Sequence, residues 1–155
     1  MLAILLAPLL IGIVAGLRTM MAPAAVVWAA HLGWIDLSGS WLAFLGHHWA
    51  PWIATALAAL ELVGDKLPST PSRKVPMQFG ARVVSGMLTG AALGVAGGAL
   101  LPGLVAGAVG AVVGTLGGAA ARARMAAAFG RDMPAALIED AVAIVGAFAI
   151  VAVLA

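Results

Sequence analysis

Long apolar runs dominate this chain, with neither the strict alternation of a strand nor the narrow stripe of a soluble amphipathic helix. The first run, about residues 2–17, breaks at Gly16-Leu17-Arg18-Thr19, and a second, about 20–32, follows it. Pro23 falls in the first turn of that second run, where its missing N–H has no intrahelical partner to lose. The pattern predicts either one long kinked helix or two helices meeting at Arg18. Residues 33–51 read as a wet loop rich in Trp and His, and 40–48 suit a short amphipathic helix lying on a membrane. The next helix is expected over 51–66. Residues 67–78 form the most polar stretch, where Pro68, Pro71 and Pro76 forbid a regular helix. Helices over 79–100 and 103–127 are expected to meet at Leu101-Pro102-Gly103. Residues 130–133 make the last loop, and Pro134 opens a final helix running nearly to Ala155.

Composition turns these runs into a statement about solvent. Of 155 residues, 64% are hydrophobic and 9% charged. Soluble domains carry about 25% charge, so lipid is the solvent this surface suits. The expected fold is an all-α integral membrane protein, a bundle of five or six transmembrane helices forming one domain over 1–155. The formal charge of +2 gives no nucleic-acid signal. With no cysteine, disulfides, thiolate metal sites and thiol catalysis are excluded. No Lys or Arg precedes the first apolar run, so it is expected to be retained rather than cleaved as a signal peptide.

Lys66, Arg73, Lys74 and Arg82 flank one loop, and Arg122, Arg124 and Arg131 another. Two helices separate these loops, and the positive-inside rule places both in the cytoplasm. All five tryptophans (Trp28, Trp34, Trp41, Trp49, Trp52) surround the opposite loop, as an interfacial belt requires. The C-terminus is then external, and the N-terminus external with six helices or cytoplasmic with five. Six helices would permit two inverted three-helix halves, with 58–61 echoed by 135–139.

Gly86, Gly90, Gly94 and Gly98 recur every four residues, and Gly103, Gly107, Gly110, Gly114 and Gly117 at spacings of four and three. Such rows let backbones approach closely in lipid. They serve either packing of this hairpin or a homodimer seam.

Ionisable groups inside apolar helices are costly and tend to face a partner or a cavity. Arg18, Glu61, Asp65, Lys66, Glu139 and Asp140, with Arg82 near them, are expected at one depth as a polar cluster open to the cytoplasm. It would act either as ion-pair glue or as a site for a cation, a proton or a small polar solute. Glu61 and Glu139 lie deepest and would be the principal ligands. Arg73 and Lys74 suit a lipid phosphate, or simply anchor topology. His31, Asp36, His47 and His48 read as interfacial groups beside tryptophans rather than a metal site, because adjacent His47 and His48 do not easily face one ion. No hydrolase, zinc, phosphate-loop or dinucleotide motif is present, so neither catalytic residues nor a cofactor is expected.

Gly16-Leu17-Arg18-Thr19 with Ala22-Pro23-Ala24, Leu60-Glu61-Leu62-x-x-Asp65-Lys66-Leu67-Pro68, Thr70-Pro71-Ser72-Arg73, and Leu137-Ile138-Glu139-Asp140 resemble small bacterial membrane proteins of domain-of-unknown-function family 4126. The resemblance implies a bacterial inner-membrane protein and brings no activity. Residues 61–67 are also similar to the Glu-x-Gly-Asp-Lys-Thr/Ser motif of a cation-exchanger family. One extra residue separates Glu61 from Gly64, and Leu67 replaces the hydroxyl residue. The functional expectation is a transporter or channel for a cation or small polar solute, against a noncatalytic scaffold or partner subunit.

Overall fold

The computed structural model describes residues 2–155, with side-chain burial from Ile4 onward. It contains six α-helices, one 3₁₀ helix and no strand among the described residues. The helices are α1 (Leu2–Leu17), α2 (Met21–His31), α3 (Ala50–Gly64), α4 (Pro76–Ala96), α5 (Leu100–Phe129) and α6 (Asp132–Ala152). Three of them, α4, α5 and α6, are long and apolar enough to cross a membrane, while α1, α2 and α3 are shorter apolar helices.

The first two apolar runs are therefore two helices, broken at Arg18. Prolines set several boundaries more tightly than the apolar runs do. Pro76 begins α4 at the first helical position, behind extended Val75, so the helix starts three residues earlier than its apolar run. Pro102 likewise lies in the first turn of α5 and not in the preceding turn. The chain reverses instead at Gly97-Gly98-Ala99, where Gly98 has φ +72°, a left-handed conformation that suits glycine. Residues 40–48 yield the 3₁₀ helix Trp41–Gly46. Ser40 caps it by accepting the Leu42 N–H at 3.1 Å, Leu42 and Leu45 are buried, and Trp41 and Phe44 are exposed.

Successive helices alternate in direction. Ile4, Trp34, Gly97 and Leu154 line one cavity, so the start of α1 and the ends of α2, α4 and α6 share one end of the bundle. The end of α1, the end of α3 and the first half of α6 meet at the other end, through Arg18, Asp65 and Asp140. This is a six-helix order with the N- and C-terminal helix ends together.

The tightest packing joins α1, α4 and α5. A Cβ on Gly103 would meet Gly94 Cα at 2.6 Å, and one on Gly107 would meet Gly90 Cα at 2.8 Å. On the other side of α5, a Cβ on Gly110 would meet Ile13 N at 2.9 Å, and one on Gly16 would meet Thr115 N at 2.5 Å. Both glycine rows are thus consumed within the chain, with Gly12 and Gly16 of α1 adding a third. Gly98 and Gly117 alone of the two rows have open space. The inverted-repeat expectation is not met by the packing. The extensive α1–α5 contact has no equal between α4 and α2, and α2 has 11 residues where α5 has 30.

Large apolar side chains cover much of the outside, and a few polar groups are buried within a largely apolar core. Leu60 and Val145 are each 68% exposed, whereas Arg18, Arg82, Ser85, Thr89, Thr115, Glu139 and Asp140 are buried.

Candidate functional site: a buried ion-pair network and its cavity

The break between α1 and α2 leaves helix-end carbonyls and N–H groups deep in an apolar bundle, where unpaired backbone costs several kcal/mol per group, of the order of 2–7. Three other helices supply the partners. Glu61 of α3 accepts the N–H groups of Thr19 and Met20 at 2.6 and 2.7 Å, placing a carboxylate on the positive end of α2. Arg82 of α4 donates through Nη1 to the carbonyls of Gly16 and Leu17 at 2.9 and 2.8 Å, placing a cation on the negative end of α1. Ser85 donates to Thr19 O at 2.5 Å, and Thr115 of α5 reaches Gly16 O at 3.4 Å.

Arg18 itself is fully buried. Its Nη1 donates to Asp65 Oδ2 at 2.6 Å and its Nε to Asp140 Oδ1 at 2.7 Å. Nη2 approaches the same Asp140 oxygen at 2.5 Å without the alignment of a hydrogen bond, and Glu139 at 3.8 Å. Lys66 pairs with the second oxygen of Asp140 and donates to Leu62 O at 2.7 Å. Arg73 folds in from the polar loop to make a fork with Glu139, at 2.5 and 2.9 Å. Gly118 of α5 makes room for this pair, since a Cβ there would meet Arg73 Nη1 at 3.1 Å and Glu139 Oε1 at 3.4 Å. Arg122 touches Glu139 at 3.3 Å and forks onto Asp132 at 2.9 and 2.6 Å.

Of the six sequence-predicted cluster residues, Arg18, Asp65, Lys66, Glu139 and Asp140 meet in one connected network. Glu61 lies beside it, its carboxylate committed to backbone. Arg73, predicted for a lipid phosphate, joins the network through Glu139, whereas Lys74 stays exposed. Arg122 and Asp132 belong to it and were not singled out as site residues. The signal for Arg122 was its place, with Arg124, within a long apolar helix, which the topology reading absorbed. Together Glu61, Asp65, Asp132, Glu139 and Asp140 offset Arg18, Lys66, Arg73, Arg82 and Arg122, leaving no net charge. Five of the six acidic residues of the chain are collected here.

A cavity of about 330 Å³ opens beside the network, lined by Asp65, Thr70, Ser72, Arg73, Arg82, Arg122 and Asp132 among others. From it, Arg82, Ser85 and Thr89 follow one buried face of α4 into the bundle. Thr89 donates back to Ser85 O at 2.8 Å and Ser85 to Thr19 O, so the two hydroxyls of that face are satisfied by backbone. Among the described residues no group of three His, Cys, Asp or Glu is arranged to hold a metal ion.

At the opposite end, Trp28 donates to Thr55 Oγ1 at 2.9 Å and stacks edge-on against Trp52 at 5.5 Å. His31 and His48 lie beside Trp28 and Trp49, with ring centroids 6.0 and 5.0 Å apart. Exposed Asp36 accepts the hydroxyl and backbone N–H of Ser38, which hold its carboxyl below the ordinary 3.8.

No family model matches the chain, and no curated protein or solved structure matches it either.

Proposed function

We propose that the chain is a multi-pass inner-membrane protein that moves a small polar solute, with the ion-pair network closing its cytoplasmic side. The observation that carries this reading is the buried Arg82–Ser85–Thr89 face, a row of polar side chains that starts at the cavity wall with Arg82 and runs on into an otherwise apolar bundle. Lipid surroundings are supported by the many exposed large apolar side chains and by the three long apolar helices. The reading has all six helices inserted, the network end cytoplasmic and the C-terminus external. At 1.5 Å per residue, α2 rises only about 16 Å, roughly half the hydrocarbon core. Its start at Met21 then lies at membrane depth, and non-helical backbone is tolerated there only when other protein groups satisfy it. Glu61, Arg82, Ser85 and Thr115 supply that satisfaction. The bacterial setting rests on the motif resemblance alone.

Within the expected solute classes, the geometry favours a small polar solute over a bare cation. The carboxylates are already engaged by guanidinium, ammonium or backbone N–H groups, so a cation would have to displace Arg18 or Arg73. A second reading, a noncatalytic scaffold or partner subunit, is favoured by that same completeness of pairing. Flux into proteoliposomes separates the two, using H⁺, Na⁺, K⁺, Mg²⁺, Ca²⁺, Mn²⁺ and small oxyanions beside an Arg73→Gln variant. Transport predicts movement of at least one solute and an altered rate in the variant. Silence of both folded proteins supports the scaffold.

A further inference from the structure

Arg82 uses only part of its guanidinium on the α1 carbonyls. Nη1 is anchored to Gly16 and Leu17, but Nε is buried with no hydrogen-bond partner among the described residues. Nη2 has only Asp65 Oδ2 at 3.8 Å, beyond hydrogen-bond reach. The two N–H groups on one edge of a guanidinium are the fork that binds carboxylates and phosphates in parallel. Arg82 is 3% exposed and lines the polar cavity. An unmet buried donor of this kind is destabilising, and a ligand that accepts from it relieves that cost. The cavity lining carries Arg73, Arg82 and Arg122 against Asp65 and Asp132, with Glu139 paired to Arg73 behind it, so the charges around the cavity balance. Asp65 is pulled away toward Arg18, and Arg73 and Arg122 are committed to Glu139 and Asp132, which leaves Arg82 as the free anion donor. Ser72 adds a hydroxyl at the mouth, its oxygen already accepting the Lys74 N–H at 3.3 Å and its proton free to donate.

We infer that this cavity binds an oxyanion, a phosphate or carboxylate group held by the Nε/Nη2 edge of Arg82. The inference rests on the transport reading for its biological sense and names the solute class that reading leaves open. The same chemistry is offered by a soluble phosphate compound and by a lipid headgroup.

The test uses full-length protein labelled with ¹⁵N-arginine in maltoside micelles, which contain no phosphate. The Arg82 Nε–H resonance is assigned by its loss in Arg82→Lys, then followed while inorganic phosphate is added at constant ionic strength. A saturable shift, with affinity weakened about tenfold or more in a folded Arg82→Lys measured by thermal shift, supports a soluble ligand. A shift produced by phosphatidic acid but not by inorganic phosphate supports a headgroup. An Arg82 resonance indifferent to both overturns the site, and does so on wild-type protein whatever the variant's folding. Phosphate binding without flux of any solute leaves the site standing and removes the transport reading. Flux of a polar solute with no phosphate response does the reverse.

Discussion

Glu61 and Arg82 treat opposite faces of one problem, the broken backbone between α1 and α2. Glu61 satisfies two N–H groups and Arg82 two carbonyls, so each residue's charge also opposes a helix dipole. Glu61→Ala strands two N–H groups inside the bundle and should cost more than an ordinary lost cap, of the order of 2–7 kcal/mol per group, read by denaturant unfolding in micelles. Arg18→Leu is a different case, because it leaves Asp65 without its hydrogen-bonding partner and Asp140 with Lys66 alone. Breaking a buried pair this way costs about 3–5 kcal/mol, and the variant should fail to assemble at ordinary temperature. Exposed Asp36 gives a smaller and cleaner signal. Its folded pKa is depressed by Ser38, so its contribution is present above the ordinary value of 3.8 and lost as pH falls through the lower folded value. A carbonyl ¹³C titration should place its midpoint below 3.8, and Ser38→Ala should move it up.

Among elements, the glycine-lined junction of α1, α4 and α5 is the rigid part of the molecule. Gly107 sits where all three backbones converge, so Gly107→Ala drives a methyl into Gly90 Cα at 2.8 Å, a backbone atom with nowhere to go. A destabilisation of about 1–3 kcal/mol is expected. Gly117→Ala on the same helix meets nothing within 4 Å and should be neutral or stabilising by up to about 1 kcal/mol. The four-residue spacing made the α4 and α5 rows legible, because in lipid small residues at that period have few other uses. Gly12 and Gly16 escaped notice as a row, since two glycines in a short segment carry little periodicity and Gly16 coincides with the helix break. Helix ends were displaced for a related reason. Apolar runs mark where lipid or core begins, whereas Pro76 and Pro102 mark where backbone becomes helical, and these differ by several residues.

At the scale of the whole molecule, the acids and bases of the short helices and the polar loop converge on one end of an apolar bundle. The depth shared by Arg18, Asp65, Lys66, Glu139 and Asp140 was legible from where each fell in its apolar run. The pairing was not, because sequence gives depth along a helix but not which way a loop folds. Arg73 reads as a loop cation until the chain carries it onto Glu139, and Glu61 reads as a free acid until Thr19 and Met20 reach it. Orientation is testable at this scale, since the chain has no cysteine of its own. Ser38→Cys should react with an impermeant maleimide on intact cells, and Ser69→Cys only after lysis. The reverse pattern would invert the proposed topology.

The central claim is that the Arg82–Ser85–Thr89 face borders a route for solute and is not merely sealed packing. Thr89 is 1% exposed, and cysteine replaces threonine there with little change of size. In lipid-embedded Thr89→Cys protein, reaction with a charged methanethiosulfonate reagent measures whether water and solute reach this depth. A solute route predicts modification within minutes from the network side, slowed when Arg82 is occupied by phosphate. A thiol that stays silent in the native bilayer and reacts only after denaturation would contradict the account, leaving the charges as glue.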